Sequence, residues 1–235
     1  MEFTLSQIAE ISSARYYGAD LSVKSIITDS RTMASTEDAL FVAIKGVNHD
    51  AHDYIGDMVA RGVKAFIAEQ EIELPEGCGV VVVENSLAAL QSLASYYRQN
   101  FKGEVVAITG SNGKTMVKEW IAASVPSSAK LYRSPRSYNS QLGVALSLLR
   151  MPDDAQIAVI EAGISEPGQM HSLARMIAPQ TVIFTSIGDA HQANFDSIEH
   201  KINEKLILAD SAEKIVYNSD CQPLADIIEE KFADR

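Results

Sequence analysis

The sequence predicts an α/β protein in two parts: a small α/β domain over residues 1–102, then a mostly parallel sheet covered by helices over residues 103–235. Three observations lead there. Short apolar runs alternate with amphipathic stretches of helical length, the rhythm of strand–helix units. A polar break at residues 100–103 interrupts that rhythm, which then starts afresh. Directly after the break, an apolar strand runs into the Gly-rich turn GSNGKT and on into a helix.

Composition narrows the classes of function. The 235 residues are 46% hydrophobic and 22% charged, enough for a sizeable core and far from low complexity or collagen. Twenty basic against 31 acidic side chains leave a net charge of −11, which argues against nucleic-acid or anionic-membrane binding in general. A local basic pocket for phosphate stays compatible with it. Cys78 and Cys221, far apart in sequence, make no disulfide framework and fit a reduced compartment. The first twenty residues lack the continuous apolar core of a signal peptide, and no window reaches the roughly 18 apolar residues of a membrane span. A cytoplasmic protein is expected.

In the first part, strands are expected at residues 25–28, 40–44, 64–68 and 80–83, the last a run of four valines. Helices are expected at residues 53–61 and 86–100, the second with Leu87, Leu90, Leu93, Ala94 and Tyr97 on one face. EIELPEGCG reads as loop. In the second part, strands are expected at residues 105–109, 130–133, 157–161, 181–186 and 214–217. Helices alternate with them at residues 114–123, 140–149, 168–177 and 198–210, with a last one from about residue 222. Such spacing implies a mostly parallel sheet covered by helices on both faces.

The strongest chemical signal is VVAITGSNGKTMVKEW. Backbone N–H groups of Gly110, Ser111, Asn112 and Gly113, backed by a helix N-terminus, suit phosphate oxygens. Lys114 would reach the β- and γ-phosphates and the Thr115 hydroxyl would ligate Mg²⁺. The strict phosphate-loop pattern wants Gly where Ile108 stands, and here the glycine is Gly110. The bland alternative, an ordinary strand–helix turn, is disfavoured because strand and helix are both in place.

TGSNGKT resembles the ATP-binding loop of the Mur ligases, which build the peptide stem of the bacterial cell wall. SYNSQLGVALSLL, EAGISEPGQM and SIGDAHQANFDSIEHKINEK resemble, in order, the family's Asn segment, its magnesium-binding acid and its His-to-Lys segment. TDSR, LFVAIKG and NHDAHDY resemble its uridine-nucleotide-binding domain, although Ala51 stands where the family often has Gly. AGISEPGQM with AHQANF is closest to the branch that adds D-alanyl-D-alanine. The resemblance implies an ATP- and Mg²⁺-dependent ligase acting on UDP-N-acetylmuramoyl-tripeptide and D-alanyl-D-alanine, as a monomer, with neither nucleic acid nor membrane as partner. It further implies that the chain covers the UDP-binding domain and part of the central domain, and lacks a third. Alternatives are a non-catalytic nucleotide-binding fragment, a ligase of the family adding another amino acid, and a phosphate-loop kinase.

The residues can be weighed beside the resemblance. Glu161 ends an apolar strand, and a carboxylate there faces the crevice where open α/β sheets bind ligands; it suits magnesium better than the role of a solvated loop acid. His191 follows a strand at the same edge, and by spacing alone is an idle loop histidine; the resemblance makes it a metal ligand. Lys205 flanks the stripe Ile198, Ile202, Leu206 and Ala209, with Lys201 expected farther out. By sequence alone Lys205 is a snorkelling surface lysine. The resemblance makes it the carbamylated lysine whose oxygens bind metal, and makes Asn139 a nucleotide or phosphate contact. Asp29, Ser30 and Arg31 suit either the uracil and diphosphate of a UDP-sugar or an ordinary turn. Of the other histidines, His52 is placed in the nucleotide domain, and His49, His171 and His200 at the surface.

Overall fold

The computed structural model describes residues 1–32, 35–188, 190 and 192–233, without the side chains of Thr32 and Gln192. The chain forms two compact units, Met1–Tyr96 and Tyr97–Arg235. In the first, the elements are β1 (Phe3–Thr4), α1 (Leu5–Ile11), β2 (Arg15–Gly18), β3 (Ser22–Val23), β4 (Ser25–Ile27) and β5 (Ala39–Val42). They continue with α2 (Ile55–Ala60), β6 (Ala65–Ala68), β7 (Gly79–Val82) and α3 (Ser86–Asn100). β4, β5, β6 and β7 pair in parallel, and β2 closes the β7 edge antiparallel. Phe41 and Phe66, on neighbouring strands, meet edge to face at 6.3 Å, with Met58 of α2 in the same core.

The elements before residue 25 escaped the sequence reading. α1 holds seven residues, fixed by a capping box in which Thr4 and Gln7 exchange side-chain and backbone hydrogen bonds. β2 is exposed throughout, so no apolar alternation marks it. The expected helix at residues 53–61 splits into a 3₁₀ turn, Ala51–Tyr54, and α2. The two units divide inside α3, a few residues before the expected boundary at about residue 102. Tyr96 packs on Phe3 within the first unit, whereas Arg98 donates to the Ile177 and Ala178 carbonyls within the second.

The second unit continues with β8 (Glu104–Thr109), α4 (Lys114–Ser124), β9 (Leu131–Arg133), α5 (Gln141–Leu149), β10 (Ile157–Glu161) and α6 (Gln169–Ile177). It ends with β11 (Thr181–Phe184), α7 (Ile198–Leu206), β12 (Lys214–Val216) and α8 (Leu224–Lys231). The sheet order is β12-β11-β8-β10-β9, parallel throughout. The expected helix at residues 198–210 closes as α7 followed by a 3₁₀ turn, Ile207–Ala209. Among the described residues no helix is long and apolar enough to cross a membrane.

Register decides where the chemistry lies. Glu161 pairs with Ile108 and Phe184 with Thr109, so β8, β10 and β11 end level. β8 sits between strands that follow it in sequence, the arrangement that opens a crevice beyond the strand ends.

A candidate nucleotide and metal site

At the end of β8 the chain turns through two glycines in conformations that side chains rarely adopt. Gly110 has φ +144°, and a Cβ there would lie 1.9 Å from Thr185 Oγ1. Gly113, at φ +85°, starts α4 with no side-chain cap, which leaves the helix amides for a ligand. The loop is pinned to the continuation of β11. Ser111 N donates to Ser186 O at 2.8 Å, Thr185 Oγ1 to Asn112 O at 2.7 Å, and Ser111 Oγ to Gly188 O at 3.0 Å.

Lys114 and Lys205 meet at this loop, and Lys118 meets Glu161 at the end of β10 beside it. Lys114 Nζ donates back to Gly110 O at 2.8 Å and to Ser111 O at 3.2 Å; burial lowers its pKa, against the pull of Glu161. Lys205 is 2% exposed, and its Nζ lies 3.5 Å from the same Gly110 carbonyl. Burial, with the charges of Lys114 and Lys201, pushes Lys205 down to about 7. Glu161 is fully buried and accepts from Thr115 Oγ1 at 3.1 Å through Oε2. Its Oε1 forms a buried ion pair with Lys118 Nζ at 2.8 Å and has no further hydrogen bond among the described residues.

Glu161 Oε1 and the Thr115 hydroxyl are hard oxygen donors beside a phosphate loop, a set that fits Mg²⁺ shared with substrate phosphate. Among the described residues no three His, Cys, Asp or Glu side chains form a metal cluster of their own. Asn139 precedes the N-cap of α5; its carbonyl accepts from Gly163 N at 2.9 Å, two residues past Glu161. His191 lies outside the described residues.

Two lysines differ from expectation. Lys201 does not point outward: it is 1% exposed, donates to Gly188 O at 2.6 Å and stands 5.9 Å from the Phe195 ring centroid. The chain before α7 folds over that side of the helix, which helical periodicity cannot register. Lys118 escaped the sequence reading, although it lies one helical turn beyond Lys114, a spacing that puts both on one face.

In the first unit, Asp29, Ser30 and Arg31 sit where β4 ends. Arg31 donates to both carboxylate oxygens of Asp29, at 2.9 and 2.8 Å, and that hydrogen bonding holds Asp29 down to about 2. Arg61 donates to Ser30 O at 3.0 Å. His52 is tied between Asp50 and the Glu69 amide, which fixes it as a brace in this unit.

Phosphate loop, level strand ends and buried acid together define an α/β protein of the phosphate-loop class. Residues 108–234 match the Mur ligase middle domain, and residues 22–98 match the Mur ligase family catalytic domain. The chain belongs to the Mur ligase family. It is 32% identical over 185 residues to UDP-N-acetylmuramoyl-tripeptide--D-alanyl-D-alanine ligase of Bacillus subtilis, covering 78% of this chain and 40% of that protein. The Escherichia coli ligase of the same name is 33% identical over 197 residues, covering 83% and 42%. A crystal structure of MurF from Acinetobacter baumannii superposes with a TM-score of 0.85 at 27% identity, over 97% of this chain and 52% of that one. MurF ligase from Thermotoga maritima, in complex with ADP, superposes with a TM-score of 0.76 at 25% identity, over 90% and 48%. The chain thus spans less than half the length of these curated relatives and about half of the solved chains.

Proposed function

We propose that this chain carries the nucleotide- and UDP-sugar-binding parts of an ATP-dependent ligase. That ligase joins D-alanyl-D-alanine to UDP-N-acetylmuramoyl-tripeptide in peptidoglycan precursor synthesis. The observation that carries the proposal is the meeting of the phosphate loop, buried Glu161 and buried Lys205 at one sheet edge, in a chain whose relatives bear that activity in their names. The γ-phosphate of ATP passes to the terminal carboxylate of the tripeptide, and the amine of D-alanyl-D-alanine displaces it from the acyl phosphate.

Amides at residues 110–113 and the Lys114 ammonium hold the phosphates, and Asn139 meets nucleotide or phosphate. Mg²⁺, when bound, neutralises the developing phosphate charge. Thr115, Glu161, His191 and Lys205 would hold it, the last as a carbamate formed when the neutral amine adds carbon dioxide and releases a proton. Burial of Lys205 and its lowered pKa support that chemistry. Asp29, Ser30 and Arg31 bind the UDP moiety. A cytoplasmic setting belongs to the proposal, supported by two free cysteines.

Calorimetric titration of the chain with Mg·ATP and with UDP-N-acetylmuramoyl-tripeptide is expected to show one site for each. Binding of neither ligand would overturn the proposal. The half-length span supports a second reading, a nucleotide-binding part that does not complete turnover by itself. Binding of both ligands without phosphate release, with D-alanyl-D-alanine added, is its outcome.

A further inference from the structure

A lysine with no surface in water must find partners for its charge and for three N–H bonds, since the unpaired ion is costly to bury. Lys118 is such a residue, at 0% exposure. Its Nζ donates to Ser134 O at 2.9 Å and to Arg136 O, and stands 2.8 Å from Glu161 Oε1. Three segments meet at this nitrogen: α4, which springs from the phosphate loop, the end of β10, and the turn between β9 and α5 that leads to Asn139.

The partners are ones that would stray without it. Glu161 is 0% exposed and, among the described residues, accepts from one side-chain hydroxyl, Thr115, so the ammonium supplies its neutralising charge. Arg136 is held at φ +49°, a conformation a non-glycine residue keeps only where its surroundings impose it. The bond from Lys118 to the Arg136 carbonyl is one restraint on that conformation. Farther along the same turn, the Thr115 and Ser137 hydroxyls lie 3.4 Å apart, and Asn139 O receives Gly163 N.

We propose that Lys118 is a positioning residue of the phosphoryl-transfer site: one buried ammonium holds the Glu161 carboxylate and the Asn139-bearing turn at fixed places relative to the helix of the phosphate loop. The inference rests on the nucleotide reading above. A lysine serving stability alone would, when removed, weaken everything the unit binds to the same degree. A positioning lysine affects the metal-linked part of binding and the order of one turn.

Lys118→Met keeps the length of the side chain and removes its charge, and two measurements on the intact chain read the result. In the nucleotide-free protein, hydrogen exchange at the amides of Tyr138, Asn139 and Gly163 is expected to quicken by about tenfold or more, while β8 amides stay within about twofold. In ADP titrations, affinity in EDTA is expected to stay within about threefold of the parent, whereas the gain on adding Mg²⁺ falls by about tenfold. Lys118→Met/Glu161→Gln leaves no buried charge unpaired and supplies the exchange measurement if the single variant folds poorly. Unchanged exchange, or an equal loss of ADP affinity with and without Mg²⁺, would overturn the positioning role. A parent chain that binds no ADP in either condition overturns the nucleotide reading and the site role with it; the exchange result then stands as a purely structural clamp.

Discussion

Lys114 and Lys205 direct their ammonium groups at one carbonyl oxygen, that of Gly110, from 2.8 and 3.5 Å. Two cations on one acceptor repel each other, and while Lys114 is half-buried, Lys205 is withdrawn from screening water. Such an arrangement suits a place where a polyanion is to bind, and it costs stability while none is there. The same residues therefore yield opposite expectations for activity and for stability.

That conflict is measurable through pH. Burial, with the neighbouring lysine charges, holds Lys205 down to about 7 in the folded chain, against an ordinary value of 10.5. Between those values the unfolded chain holds more protons, so stability rises with pH across the window, and the penalty for burying the charge is complete below about 7. In carbon-dioxide-free buffer near pH 6, Lys205→Met is expected to be more stable than the parent by roughly 2–4 kcal/mol, an advantage that fades towards pH 10. Thermal denaturation across that range checks it, and a pH-independent difference would contradict it.

Lys114→Ala should leave the fold unchanged by circular dichroism, since among the described residues its side chain donates to carbonyls of its own loop. Phosphate release in a form of the protein that turns over should fall by about 10²–10³, the usual cost of one transition-state charge contact. Equal rates would remove Lys114 from the site.

Gly110→Ala should cost about 3 kcal/mol or more, because it strains a positive φ and drives a methyl group into Thr185. Chemical denaturation measures the loss. Thr185→Ala in the same chain should restore only part of it, since the Ser186 carbonyl still lies 3.2 Å from the added carbon.

Lys201→Ala is not expected to be silent. It removes a buried charged donor from Gly188 O and leaves that carbonyl with Ser111 alone among the hydrogen bonds described, a change worth about 1–3 kcal/mol. Denaturation midpoints within experimental error of the parent would show that the contact contributes nothing.

Arg31→Ala should weaken binding of UDP-N-acetylmuramoyl-tripeptide by about tenfold, the scale of one charge-assisted contact to a phosphate. The same titration of the parent, followed by NMR, should shift the amides of Ser30 and Arg31. Shifts confined to the second unit would refute a UDP site at the end of β4.

Much of this molecule was legible in one dimension because its signals are local. Apolar runs marked β5, β6, β7, β8 and β10, since buried parallel strands need no alternation, and GSNGKT marked its own turn, since only glycine suits φ +144° and +85°. The order of motifs along the chain was enough to indicate the Mur ligase family. What escaped was short or depended on contact between distant segments. α1 and β2 are too brief to show a period. Lys118 and Lys201 look like solvated helix lysines until the β9–α5 turn and the chain before α7 close over them. Sequence alone determined the longer elements and the phosphate loop, through backbone sterics and the spacing of apolar residues. The tertiary structure alone decided which charges are buried, because desolvation belongs to the packed neighbours of a side chain, and helical periodicity describes only its own strand of the chain.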